Sequence, residues 1–250
     1  MTLPSLIEML KAGVHFGHQT SRWHPKMKQY IFTNRNGLHI IDLEKTQVEL
    51  QKTVDAVRKM AAEGKQILFV TTKPQAKVIV KEAAISAGMP YIVERWIGGL
   101  LTNFSEIKKL IDSYISLKEQ QASGELEKYT KKEQLDIAKD LIKKDETLVG
   151  LTSLKKMPDA IFVASLQREK TTLIEANKEG ITVIGIADTN ANPTKANHII
   201  PANDDAVKSI EMIVNAVAQA CKEGREEYLN KVAVAGKKSE EVKPATNTKA

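Results

Sequence analysis

Cysteine is nearly absent from this 250-residue chain, where Cys221 stands alone. No intramolecular disulfide and no paired-cysteine zinc site is therefore possible, and that usage fits a reducing compartment. Cys221 lies in the apolar run VNAVAQAC and is expected to be a small core residue. Aromatic residues make up only 5% of the chain, so a core built from its 42% hydrophobic content must be mainly aliphatic. No apolar run approaches the roughly 18 residues that a membrane-spanning helix needs. The segment MTLPSLIEML has no basic leader, and Glu8 breaks its apolar run, so it does not read as a signal peptide. These absences predict a cytoplasmic protein.

The sequence also lacks the usual marks of a nucleotide-dependent or hydrolytic enzyme. No GxxxxGK[ST], HExxH or GxSxG motif occurs. The apolar run QILFV (Gln66–Val70) is followed by Thr71-Thr72-Lys73-Pro74, without the glycines of a dinucleotide-binding turn. A phosphate could rest near Thr72 and Lys73 at the start of the next helix. The plainer alternative is an ordinary strand–helix turn capped by Thr72. The expectation is a protein with no enzymatic activity. A sugar-phosphate or nucleotide-binding enzyme on a similar sheet is the rival class.

The charge that is present is unevenly placed. The net charge is +6, of which residues 1–40 carry +4, residues 231–250 carry +3, and the long middle section carries −1. A polyanion would meet the two ends first. Within the first forty residues, rings and cations alternate. His15, His18, Arg22, Trp23, His24, Lys26, Lys28 and Arg35 are candidate RNA contacts, with Phe16 and Tyr30 either stacking or buried. The spacing of His15 and His18 about Gly17 invites a metal reading, but a third and fourth ligand are not evident. A second candidate lies in RWIGGLLTNF (Arg95–Phe104). There Gly98-Gly99 allows a sharp backbone path, Asn103 can cap the following helix, and Arg95 and Asn103 are further candidate RNA contacts. Asp188, Asp204 and Asp205 follow two apolar runs. If those runs are neighbouring strands, the carboxylates converge as a possible site for a hard cation such as Mg, and a Mg or Zn ion is the only cofactor considered. The alternative is that they, with Asn203, cap local turns.

Periodicity gives the architecture. Short helices or strands are read at Ser5–Ala12, Tyr30–Thr33 and Leu38–Asp42, the last two joined by a hairpin through Asn36-Gly37. The strip between His15 and Gln29 has no clean period and reads as loop. Residues 44–63 form a helix with Val48, Val54, Val57 and Ala61 as its buried stripe. Five strands then follow at Gln66–Val70, Tyr91–Val93, Ala160–Ala164, Thr182–Ala187 and His198–Pro201, alternating with helices that start near Pro74, Glu169 and Asp204. The fold class is α/β: an open five-stranded parallel sheet, flavodoxin-like, with helices on both faces. Residues 104–146 interrupt it with two amphipathic stretches. One carries Phe104, Ile107, Ile111, Tyr114 and Leu117. The other carries Leu135, Ala138 and Ile142. An inserted antiparallel coiled-coil hairpin, folding semi-independently, is expected. The division is then 1–103 for the first part of the α/β domain with its basic extension, 104–146 for the hairpin, 147–230 for the second part, and 231–250 for a mobile basic tail.

Several blocks in fixed order resemble one family. These are AGVHFGH (Ala12–His18), WHPKMKQYIF (Trp23–Phe32), RNGLHIIDLEKT (Arg35–Thr46), RWIGGLLTNF, MPDAIFV (Met157–Val163), IADTN (Ile186–Asn190) and IPANDDA (Ile200–Ala206). Together they are similar to the second protein of the bacterial small ribosomal subunit. Thr71, Ser165, His24 and Thr194 depart from that family's usual residues, and the missing acid at Ser165 counts against a cation site. The resemblance implies a sheet domain docked on small-subunit ribosomal RNA between head and body. It also implies neighbouring ribosomal proteins, including the large first protein of the subunit, and a role in assembly and translation. A surface adhesion or scaffold protein is a further alternative that cell fractionation would separate.

Overall fold

The computed structural model describes residues 3–240. Helix α1 (Leu6–Ala12) opens the chain with a reciprocal Ser5–Glu8 capping box and stops at Gly13 in the left-handed region. Of its expected apolar face only Met9 is buried, while Leu6 and Leu10 are exposed. The aperiodic strip that follows is not all loop. Its first part is a strand, β1 (Phe16–Gln19), and Pro25–Tyr30 forms a 3₁₀ segment. Strands β2 (Ile31–Arg35) and β3 (Leu38–Ile41) make the anticipated hairpin, turning through Asn36 and Gly37 at φ values of 50° and 77°. Pairing of β1 with β3 completes a small antiparallel sheet in the order β1-β3-β2. The period of β1 was hidden because its faces are set by docking and not by a half-buried sheet.

The main sheet follows helix α2 (Leu43–Ala62), which is capped by Asp42. Its strands are β4 (Ile67–Val70), β5 (Tyr91–Ile92), β6 (Ala160–Val163), β7 (Thr182–Ala187) and β8 (His198–Pro201), all parallel and ordered β5-β4-β6-β7-β8. Helices α3 (Lys77–Ala87), α4 (Phe104–Ser123), α5 (Lys131–Leu148), α6 (Lys170–Lys178) and α7 (Val207–Glu240) complete the chain. Adjacent residues of each strand feed different cores, as the two-residue period requires. Ile67 and Phe69 join Phe162, Ile184 and helices α2, α3 and α7. Leu68 and Val70 join Ile161, Val163 and the helices of the opposite face. Cys221 is fully buried, and its surroundings push the thiol pKa up to about 12.

Several expectations give way to the packing. In α2, Val48 is 53% exposed, and Thr46, Leu50 and Thr53 complete the buried stripe instead. Helix α3 begins at Lys77, three residues after Pro74, and has no side-chain cap. Thr72 gives its amide and hydroxyl to Glu169 instead of capping α3. In the insertion, Ile111, Tyr114, Leu141 and Leu148 are the buried residues, while Leu135 and Ile142 are 61% and 63% exposed. The second arm is thus turned from its expected face, because Leu141 and Leu148 enter the same apolar cluster as Leu68, Val70 and Ile161. The two arms do pack on one another, and Lys118 bridges to Asp145 at 2.7 Å. Their lower turns, however, belong to the core of the sheet. Helix α7 runs to Glu240, past the expected start of a mobile tail at residue 231. Between Tyr228 and Glu240 it has no proline, and its single glycine does not outweigh the alanine, lysine and glutamate that favour a helix. The rest of the expected tail, residues 241–250, lies outside the described residues.

Candidate nucleic-acid interface

The basic strip is seated on the carboxyl ends of β7 and β8. The backbone amide of His18 donates to Thr189 Oγ1 at 2.9 Å, and that of His24 donates to the Thr189 carbonyl at 2.8 Å. On the β8 side, Asn203 donates its amide to Val14 O at 3.0 Å and its side-chain nitrogen to Gly13 O at 3.1 Å. Gly17 is needed for this approach. A Cβ there would stand 2.5 Å from Thr189 Cγ2. The seat leaves Arg22, Trp23, Lys26, Lys28 and Arg35 on the surface, and Lys26 Nζ also reaches Thr194 Oγ1 at 3.2 Å.

The histidines divide into different tasks. His24 caps the 3₁₀ segment by accepting from the Lys26 amide through Nδ1, at 3.2 Å. His15 lies 4.0 Å, centroid to centroid, from the ring of Phe16, and burial lowers its pKa. His39 is buried under Trp23, with ring centroids 5.3 Å apart, and among the described residues neither of its ring nitrogens has a hydrogen-bond partner. Phe32 on β2 is 74% exposed. An exposed ring on the same strand as Arg35 suits base stacking. Sequence reading missed it because WHPKMKQYIF looks like an ordinary entry into a strand.

His18 faces inward. Its Nδ1 lies 3.1 Å from Asp188 Oδ2, and its Nε2 lies 3.4 Å from Asp205 Oδ2. The hydrogen bond to Asp188 raises its pKa above the ordinary histidine value, against the opposing effect of burial. His18, Asp188, Asp204 and Asp205 bring donor atoms within 4.8 Å of one another, so the expected convergence of carboxylates is real. It also contains a cation of the protein's own. Lys73 Nζ sits 2.6 Å from Asp204 Oδ1 and 2.9 Å from Asp205 Oδ1, and Ser165 donates to Asp204 Oδ2 at 2.5 Å. Burial and the neighbouring Asp188 charge nevertheless raise the pKa of Asp204. Asn203 forms the local turn that was the alternative, accepting from the amides of Asp205 and Ala206.

Arg95 and Asn103 sit apart from the strip, on the loop before α4. Arg95 is exposed. Asn103 occupies the N-cap position but makes no capping hydrogen bond. The loop is held by Glu175 of α6, which accepts from Trp96 Nε1 at 2.9 Å, Gly99 N at 3.0 Å and Leu101 N at 3.2 Å. Burial pushes this carboxyl up, but its donors outweigh burial and keep its pKa below the usual value. A carboxylate on the apolar face of a helix, beside Leu173 and Ala176, was the signal for this residue.

A family model described as ribosomal protein S2 matches residues 9–224. The chain belongs to the ribosomal protein S2 family. It is 44% identical over 220 residues to the small ribosomal subunit protein uS2 of Parabacteroides distasonis, covering 88% of this chain and 79% of the relative. The uS2 of Dehalococcoides mccartyi is also 44% identical over 220 residues, covering 88% of this chain and 90% of the relative. That of Bdellovibrio bacteriovorus is 44% identical over 232 residues, covering 93% and 74%. The S2 match spans the strip, the loop at Arg95 and the carboxylate cluster. The chain is accordingly a ribosomal protein of the small subunit and not an enzyme. Among the described residues no helix is long and apolar enough to cross a membrane.

Proposed function

We propose that this S2-family protein binds small-subunit ribosomal RNA chiefly through the basic strip, docking between head and body and supporting subunit assembly and translation in the cytoplasm. The observation that carries this reading is the strip itself. Exposed cations at Arg22, Lys26, Lys28 and Arg35 alternate with the exposed rings of Trp23 and Phe32 on a surface fixed by Thr189 and Asn203. Cations supply phosphate contacts and counterion release, while rings supply stacking on unpaired bases. Other small-subunit proteins, including the large first protein, are the remaining partners. The upper turns of α4 and α5 form a semi-independent coiled-coil arm that offers them a charged docking face.

The carboxylate cluster serves this function as an internal clamp. Lys73 pairs with Asp204 and Asp205, and His18 reaches Asp188 and Asp205, so these contacts tie the strip to the sheet. The RNA reading is tested by replacing Arg22, Lys26 and Lys28 together with alanine. Affinity for small-subunit RNA should fall, and the slope of log affinity against log salt should shrink by about two, since roughly 0.7 counterions are released per neutralised single-strand phosphate. Unchanged affinity and slope would remove the strip from the interface.

A further inference from the structure

The hairpin that carries Arg35 turns through Asn36 and Gly37, the sole Asn-Gly pair in the sequence. A backbone nitrogen that follows an asparagine is placed to attack that residue's carboxamide carbon and close a five-membered ring. Glycine is the least hindered residue to carry the nucleophile, because it has no side chain beside its nitrogen. Local structure then decides whether the reaction is held back.

Here nothing holds the reacting groups. Asn36 and Gly37 are both exposed, and a Cβ added at Gly37 would meet no atom within 4 Å. Among the described residues, the Asn36 carboxamide makes no hydrogen bond and the Gly37 amide donates none. The bond at the tip runs to Gly37 O, which accepts from the Thr20 amide at 2.9 Å and leaves both reacting groups free. Other asparagines are tied. Asn177 donates to Leu173 O, and Asn192, Asn197 and Asn203 each accept from a backbone amide. Ring closure also needs the turn to flex. Asn36, at φ 50°, is the only non-glycine residue with positive φ among the described residues, a conformation that L residues disfavour. It follows β2, an edge strand of the small sheet, whose last pair is Arg35 with Leu38. The end of an edge hairpin opens at little cost.

We propose that Asn36 is a site of spontaneous deamidation, with water as the co-reactant, and that its conversion weakens the grip of the basic strip on RNA. The Gly37 nitrogen, losing its proton, forms a bond to Asn36 Cγ. The bond from Cγ to Nδ2 breaks, and ammonia leaves with the proton. Water then opens the cyclic imide. Hydrolysis at Cγ gives aspartate, and hydrolysis at the backbone carbonyl gives isoaspartate, in which the main chain runs through Cβ and Cγ. Either product sets a negative charge next to Arg35 and lowers the net charge of residues 1–40 from +4 to +3. Isoaspartate also adds one carbon to the main chain of a two-residue turn, and such turns fix the register of the strands they join. The effect on RNA rests on the reading of the strip given above; the chemistry at Asn36 does not.

The test incubates the full free chain at neutral pH and physiological temperature. Its peptides are mapped by mass spectrometry, and isoaspartate is labelled with an isoaspartyl methyltransferase. Asn36 should convert well ahead of Asn34, which is equally exposed but precedes an arginine. Ammonia should be released mole for mole, at a rate that rises with pH. The aged chain should bind small-subunit RNA several-fold more weakly than the fresh one. Its slope of log affinity against log salt should shrink by about 0.7, the release from one single-strand phosphate, as Arg35 turns to the new carboxylate. Asn36→Asp should reproduce that change without ageing. Asn36→Gly suits the left-handed turn, has no carboxamide to lose, and should bind alike fresh and aged. Conversion at Asn36 no faster than at Asn34, or an aged chain that binds as tightly as the fresh one, would overturn the proposal. If that aged chain keeps its affinity while the Arg22, Lys26 and Lys28 triple variant loses it, only the role of Asn36 fails. If both keep it, the reading of the strip fails as well.

Discussion

At the scale of single residues, His18 holds the strip to the sheet, and its protonation sets how firmly. Asp188 raises its folded pKa, so its contribution is full below the unfolded value of about 6.5 and fades as pH rises through the raised value. His15 acts in the other sense. Burial lowers its pKa, so its contribution is present above that unfolded value and lost as pH falls through the lowered one. Comparison with His18→Gln therefore isolates His18. The denaturant midpoint of the wild type should exceed that of the variant most below about pH 6.5, and the gap should close as pH rises above that value. A gap that widens with pH would contradict the clamp. Glu175→Ala strands the donors of Trp96, Gly99 and Leu101. Chemical denaturation should show a loss of about 2–4 kcal/mol, with Trp96 emission moving to the red. Residue identities were legible where chemistry is local. The Asn36-Gly37 turn and buried Cys221 both follow from their neighbours in sequence. The contacts of His18 with Thr189, Asp188 and Asp205 were not legible, because these partners lie about 170 or more positions away, where no local pattern reaches.

At the scale of elements, the five strands and their alternation with helices were readable from period and punctuation. Strands buried on both faces are continuous apolar runs, and glycine ends several of the helices. The insertion was less legible. Both arms carry more apolar residues than one stripe needs, so sequence alone offers α5 two faces, one with Leu135 and Ile142 and one with Ile137, Leu141 and Leu148. Contact with the sheet selects the second. The consequence is testable at Ile111, which is fully buried. Ile111→Asp should cost about 4 kcal/mol or more, and hydrogen exchange should quicken in β4 and β6 as well as in α4 and α5. Loss of protection limited to residues 105–146 would instead support a hairpin that folds alone. A milder change on the exposed face, Leu135→Ser, should leave stability within about 0.5 kcal/mol in the same assay.

At the scale of the whole molecule, charge and fold are assigned to different stretches of chain. The long middle section that supplies most of the apolar cores is nearly neutral, and the net positive charge sits in the first forty residues and the last twenty. Residues 231–233 of α7 are exposed, so truncation after Asn230 should change the melting temperature little while removing positive charge. Calorimetry checks the first expectation, and the salt dependence of RNA binding checks the second. The seat of the strip has a further consequence in time. His18 leaves the synthetic machinery 171 residues before its anchor at Thr189. At usual elongation rates the strip waits roughly ten to thirty seconds before a surface exists to receive it. During that interval its cations and rings are a loose, unshaped segment, and only a chain synthesised past β8 can present them in register. Shape-dependent recognition thus becomes a report on completeness. Nascent fragments released before Asp188 would be drawn to RNA by charge alone and would lack the geometry to hold a particular site.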